Sequence, residues 1–369
     1  MTDDGRTLRV LPRPEVVSTP LARHGALDYA ELELLELAAG EVLDFSVNSN
    51  PYGPSPRVRE ALSGVPPDRY PDREALALRR ALARRLGVPS ERILAGNGTV
   101  ELMWLAALAF LRPGDRVLVV GPTFGEYARV AALMGAQVKS WSARPELDFA
   151  VEVDEVARSL RDVQPRLAFL CNPNNPTGTV IPLEAVDAWA QAHPQALFVV
   201  DEAYLAFASG LRSALTTAAC NVLVLRSMTK DYALAGLRLG YAVGHEDAIA
   251  ALARVRPPWS VNALAQAAGL AALDDEEHLQ RSLGELAWAK EALVAGLVEL
   301  GLPPLPSALH FFLVQVGDGA AFRRALLRWG ILVRDCSSFG LPAYVRIATR
   351  RPEENTRLLA AICEVKDDR

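Results

Sequence analysis

The sequence predicts an α/β fold: a large unit with a mostly parallel central sheet flanked by helices, plus a smaller α+β unit. Three observations lead there. Five short, fully apolar runs punctuate the middle of the chain: VLVV (117–120), LAFL (167–170), LFVV (197–200), VLVL (222–225) and LGYAVG (239–244). Bounded by polar loops, such runs are strands buried on both faces. Helical patterns separate several of them, and that alternation implies a parallel sheet. After Gly301 the pattern changes to FFLVQV, FRRALLRWG, ILVR, YVRIA and EENTRLLAAI, a smaller α+β unit.

The elements follow in chain order. The first forty residues are a polar arm with a short amphipathic pattern, DYAELELLELAAG. DFSVNSNPYGPSP (44–56) is turn-rich, since Pro and Gly break regular structure. Helical periodicity dominates from 57 to about 110, interrupted by the turn chemistry of AGNG (95–98) and stopped at RPGD. The apolar strands come next, and residues 275–300 carry a long amphipathic helix. The expected division is 1–45 as arm and part of the small domain, 46–274 as the large domain, and 275–369 as the small C-terminal domain.

Composition narrows the function. A chain of 369 residues exceeds the usual single domain, so two domains sharing a cleft are expected. Half the residues are hydrophobic, which excludes disorder as the main state. A net charge of −5 marks no nucleic-acid or membrane-surface partner. No apolar run reaches membrane-spanning length, and the acidic N-terminus lacks a signal-like core. Cys171, Cys220, Cys336 and Cys363 form no CxxC, and no HExxH occurs, so no metal site is expected. Scattered thiols suggest a reducing cytoplasm. Lysine is scarce: Lys139, Lys230, Lys290 and Lys366 are the only candidates for amine chemistry.

In open α/β sheets, functional residues gather beyond the carboxyl ends of strands. Three apolar runs are followed there by CNPNNPTG (171–178), DEAY (201–204) and RSMTKDYALAGLRLG (226–240). Lys230 is either a solvated lysine or a Schiff-base lysine whose pKa is lowered by burial and by Arg226 or Arg238. Asp201 and Glu202 suit an acid–base pair, a helix cap, or a carboxylate holding a pyridinium N–H. GNGTVE (96–101) opens a helix whose first amides can bind phosphate. Phe124 in GPTFGEY is a stacking or a core aromatic, and the Asn-rich loop is a turn or aims an amide at a ring hydroxyl.

Taken together and in this order, these motifs resemble the fold-type-I pyridoxal phosphate (PLP) enzymes of the class I/II aminotransferase superfamily. The likeness runs from about residue 40 to the C-terminus. It rests on NPTG (175–178), DEAY (201–204) and SMTKDYALAGLRLG (227–240). The resemblance implies pyridoxal 5'-phosphate as cofactor, with Lys230 as the Schiff-base lysine and Asp201 on the pyridine nitrogen. Asn175 and Tyr204 would hold the 3′-oxygen, and Phe124 would stack on the ring. The Gly98-Thr99-Val100 turn, with Ser227 and Arg238, would bind the phosphate. Tyr70, in RYPDRE, would reach the phosphate of a neighbouring subunit, which implies a homodimer with shared active sites.

Two subfamilies compete for the reaction. Threonine-phosphate decarboxylases of cobalamin biosynthesis resemble the chain in the His24-Gly25 pair, DFSVNSNP, RSMTKDYALAGLRLGY (226–241), PPWSVNALA (257–265) and ILVRDC (331–336). Histidinol-phosphate aminotransferases resemble it across the core, including VRIATRRPEEN. Decarboxylation of O-phosphothreonine to aminopropanol phosphate is the first expectation. Transamination of histidinol phosphate, with 2-oxoglutarate as the other partner, is the alternative. Both imply a small phosphorylated amino substrate, met by His24, Asn48, Arg334 and Arg346. Guanidinium forks match phosphate and carboxylate oxygens. The chain departs from the decarboxylase pattern at HGA in place of HGG, at Tyr204 in place of Phe, and in a short 334–346 loop. PLP-binding transcription regulators need a DNA-binding domain, for which the forty residues before the likeness are too few.

Overall fold

The computed structural model describes residues 10–367, so residues 1–9 of the expected arm and 368–369 lie outside it. Twelve strands follow one another among the described residues: β1 (Leu43–Asp44), β2 (Ile93–Gly96), β3 (Arg116–Gly121), β4 (Gln137–Ser142), β5 (Leu167–Cys171), β6 (Leu197–Asp201), β7 (Val222–Ser227), β8 (Gly240–Val243), β9 (Phe311–Gln315), β10 (Ile331–Leu332), β11 (Arg334–Asp335) and β12 (Tyr344–Ala348). Seven form one sheet in the order β2-β8-β7-β6-β5-β3-β4. Only β8 runs against its neighbours; the other pairs are parallel.

The apolar runs become strands because both faces of this sheet are covered. Side chains alternate across a strand. Leu118, Val120, Ala168, Leu170, Phe198 and Val200 therefore pack on one side with Trp189, Val156 and Leu160. Val117, Val119, Leu167, Phe169 and Val199 pack on the other with the helices Gly98–Phe110 and Glu126–Leu133.

Two strands of this sheet escaped the sequence reading. Ile93–Gly96 is only four residues long and sits inside a helix-patterned stretch, so AGNG is a strand end as well as a turn. Gln137–Ser142 is an edge strand, mostly exposed, and therefore shows no apolar run.

The C-terminal part holds an antiparallel sheet in the order β11-β12-β9. ILVR does not form one strand. Ile331–Leu332 pairs in parallel with β1, and the chain then crosses over so that Arg334 pairs with Arg346 of β12. The helix Glu276–Glu299 joins this part through Leu293 and Leu297, which pack with Phe312, Val345 and Ile362. No helix among the described residues is long and apolar enough to cross a membrane.

Candidate active site

The parallel strands all deliver their carboxyl ends to one edge of the sheet, where a cavity of about 310 Å³ opens. β5, β6 and β7 are direct neighbours, and Cys171 is in register with Asp201. The loops that leave them place Asn175, Tyr204 and Lys230 in the cavity wall. β3 leads to Phe124, and β2 leads to Thr99 and Val100 in the first turn of the helix Gly98–Phe110. Ser227 and Arg238 line the same end. His24 comes from the arm, Asn48 from the loop after β1, and Arg334 and Arg346 from the antiparallel sheet.

Gly98 is buried beneath this group rather than exposed to it. Its φ of +77° is open to glycine, and a Cβ there would lie 2.9 Å from Arg238 Nη2. The guanidinium thus sits directly over the start of a helix whose first amides have no partner within the helix. Together with the pair Ser227 Oγ and Thr229 Oγ1, 2.6 Å apart, this arrangement could hold a phosphate.

Asp201 ends β6 at 5% exposure. Tyr127 OH donates to its Oδ2 at 2.7 Å, and the Ala203 amide donates to Oδ1 at 3.0 Å. Burial pushes this carboxyl up to about 6, against the two donors. Glu202, next in sequence, faces the opposite way and takes Arg226 Nε at 2.8 Å, the Ser213 hydroxyl and the Ala214 amide. The two acids are therefore not an acid–base pair. Burial, then Arg346 and Arg238, bring Lys230 down to about 8. Arg226, engaged by Glu202, does not take the part in this shift that the sequence suggested.

Of the three asparagines in NPNN, two are structural. Asn172 exchanges hydrogen bonds with the backbone of Ile181, and Asn174 accepts from Thr123 Oγ1 at 2.7 Å. Asn175 Oδ1 accepts from Arg346 Nη1. Tyr204 OH accepts from Asn48 Nδ2 at 3.3 Å and is pushed up to about 12 by burial. Arg346 is 5% exposed, lies over the Phe311 ring, and also donates to the Ser46 carbonyl. Its Nε and Asn48 Oδ1 are buried without a hydrogen-bond partner. No carboxylate pairs with Arg346 among the described residues.

Asp201 is the one acid lining the cavity, against Arg23, Lys230, Arg238, Arg334 and Arg346. This donor set fits pyridoxal phosphate. A buried carboxylate held up by desolvation gains from a pyridinium N–H, an amine is available near neutral pH, and the arrangement that could hold a phosphate lies at the same end. A second group of cations remains for a further anion.

Tyr70 is not in this cavity. It is 80% exposed and stacks on Trp259 with ring centroids 4.6 Å apart. The sequence reading missed Tyr127 and Glu126, although both stand in the quoted GPTFGEY. Tyr127 meets Asp201 across 74 positions of chain, and nothing local announces it. Arg23 also went unnoticed, adjacent to His24.

Comparisons with known proteins agree with this geometry. The family model for aminotransferase class I and II matches residues 40–362. A histidinol-phosphate aminotransferase of Symbiobacterium thermophilum is 41% identical over 340 residues, covering 89% of this chain and 91% of that protein. The crystal structure of histidinol-phosphate aminotransferase from Sinorhizobium meliloti in complex with pyridoxal-5'-phosphate superposes with a TM-score of 0.86 at 26% identity, covering 99% of each chain. An L-threonine-O-3-phosphate decarboxylase from Porphyromonas gingivalis superposes with a TM-score of 0.77 at 28% identity, covering 88% of this chain and 99% of that one. The order of the two reactions expected from sequence is thereby reversed: the aminotransferases are the nearer likeness in sequence, and the decarboxylase is a more distant structural neighbour. The motifs that favoured decarboxylation are short separate stretches, whereas the similarity to the aminotransferases extends over nine-tenths of the chain. By its matched length and the relatives it shares, the chain belongs to the class I and II aminotransferase family.

Proposed function

We propose that this protein is a pyridoxal phosphate-dependent aminotransferase that takes the amino group from histidinol phosphate or a closely related phosphorylated amine, with 2-oxoglutarate and glutamate as the other pair. The observation that carries the reading is Arg346: a buried cation without a carboxylate partner among the described residues, in the same cavity as Lys230 and Asp201. Pyridoxal phosphate, when bound, supplies an aldehyde that condenses with amines and a ring that takes up the electrons released at the substrate α-carbon.

The residues divide the work. Thr99, Val100, Ser227 and Arg238 would hold the cofactor phosphate, and Phe124 would cover one face of its ring. Asn175 and Tyr204 would hold the ring oxygen. Asp201, steadied by Tyr127, would hold the ring N–H and keep it protonated. Lys230 would hold the aldehyde between turnovers and then move a proton at the substrate α-carbon as general base. Its lowered pKa puts the neutral amine within reach of ordinary pH. Arg334 and Arg346 are cross-strand partners, so both guanidinium groups can meet one anion. The same forks suit a phosphate in one half-reaction and a carboxylate in the other.

The chain is proposed to act as a homodimer, with Tyr70 reaching the partner's cofactor phosphate, and residues 46–274 forming the cofactor-binding unit. Its exposure in the single chain supports that role. The four cysteines are unpaired, two of them exposed, which suits a cytoplasmic location.

The test is a pair of assays on the holoenzyme. Histidinol phosphate with 2-oxoglutarate should yield glutamate. CO₂ release from phosphothreonine without any keto acid, and no keto-acid-dependent turnover, would overturn the reading in favour of decarboxylation. Lys230→Ala should lose both turnover and the visible absorbance band.

A further inference from the structure

We propose that Glu126 is a positioning residue that fixes His24 of the N-terminal arm over the active site, so that recognition of the substrate phosphate depends on a buried carboxylate that does not itself line the cavity. This rests on the reading that the substrate is phosphorylated.

The arm runs along the helix Glu126–Leu133 and is tied to both of its ends. Arg13 Nη2 donates to the Leu133 carbonyl at 3.1 Å, at the C-terminal end where carbonyls lack helix partners. His24 Nε2 meets Glu126 Oε1 at 3.2 Å at the other end. Glu126 is only 4% exposed, and its second oxygen takes Arg129 Nη1 at 3.2 Å. Arg129 is in turn held over the Trp104 ring. The carboxylate is therefore locked before it meets the imidazole.

The arm backbone at His24 and at its neighbour Arg23 is stapled as well. Arg334 donates to the Arg23 and His24 carbonyls at 2.7 Å each. Gly25 lets the arm lie close against the Ser46 backbone, because a Cβ there would lie 2.6 Å from the Ser46 carbonyl oxygen. His24 ends beside the Phe124 ring, centroids 5.5 Å apart, in the wall that Arg334 and Arg346 share. With Nε2 engaged by Glu126, Nδ1 is the ring nitrogen left to meet a ligand. A side chain held only by its backbone loses rotamer freedom when it binds; a carboxylate that holds the ring beforehand removes much of that cost.

The experiment compares histidinol phosphate with unphosphorylated histidinol in the holoenzyme and in Glu126→Gln, His24→Ala and the double variant. Glu126→Gln is expected to lower kcat/KM for the phosphorylated amine by about tenfold, mainly through KM, and to change histidinol turnover far less. In the His24→Ala background the same substitution should cost nothing further. An equal loss for both amines, or the same loss with and without His24, would overturn the proposal and leave Glu126 as a structural partner of Arg129. If the wild-type holoenzyme turns over no phosphorylated amine, the functional reading fails first, and the cycle shows this in its reference arm. Glu126→Asp, which keeps the charge at shorter reach, should recover part of the discrimination.

Discussion

Tyr127 and Asp201 are joined by a 2.7 Å hydrogen bond in which the phenol donates to Oδ2. Tyr127 is itself clamped, stacked on Phe169 at 5.1 Å between ring centroids. The carboxylate at the floor of the site is thus aimed by the core of the large sheet. Removing its charge should do more harm than removing its donor. Hydrogen bonds to charged groups contribute about 1.5–3 kcal/mol. Asp201→Asn should lower kcat by about 10²-fold or more. Tyr127→Phe, which leaves the charge in place and sits at the low end of that range, should lower it by about tenfold. Steady-state kinetics with saturating cofactor check both, and equal losses would refute this ranking.

Lys230 sets a pH dependence for cofactor capture. Its pKa falls from 10.5 to about 8, so the neutral, nucleophilic form is favoured by the fold. At pH 7 about a tenth of the apoprotein then carries a neutral amine at this position. The rate at which added pyridoxal phosphate develops its bound visible band should rise almost tenfold from pH 6 to 7 and level off above about 8. Stopped-flow absorbance measures it. A rate still climbing steeply at pH 9.5 would contradict the lowered pKa.

Arg346 is held by Asn175, Ser46 and Phe311 but by no carboxylate among the described residues. Arg346→Lys keeps the charge and loses the fork. KM for both the phosphorylated amine and 2-oxoglutarate should rise by about 10-fold or more, since two charge-assisted contacts become one. A change confined to one substrate would separate the two half-reactions.

Gly98→Ala places a methyl group at a φ of +77° and within 2.9 Å of Arg238 Nη2. The strain is about 1–2 kcal/mol, and the guanidinium must leave its place above the helix start. The dissociation constant for pyridoxal phosphate should rise by about tenfold or more, read by equilibrium dialysis. Inorganic phosphate should protect the variant less than the wild type against heating.

Ala26 carries a φ of +97°, a conformation in which alanine is strained and glycine is not. Its amide donates to Ser46 Oγ at 2.9 Å, so the turn is held in spite of the strain. Ala26→Gly should slow proteolytic cleavage within the arm by several-fold, as expected for about 1 kcal/mol gained against local opening. Faster cleavage would show that alanine is tolerated there without strain.

Much of this protein was legible before any coordinates. The apolar runs from Val117 to Val243 announce the sheet, because strands buried on both faces have no polar side to show. The presence of Lys230, Asp201, Asn175 and Arg238 in one cavity is legible too, since each lies at a strand end or in the segment that leaves one, and strand ends in such a sheet meet at one edge. Tertiary structure alone decided the rest. Only the crossing from β10 to β11 makes Arg334 and Arg346 partners, and only the course of the arm brings His24 to Glu126. The edge strand Gln137–Ser142 hid because most of it faces water. The aim of Asp201 depends on Tyr127, and the direction of Glu202 on Arg226; both are contacts between residues distant in sequence. Local pattern reports which side chains must be buried and where chains turn, whereas the partners of a buried charge are set by packing between elements that the sequence keeps apart.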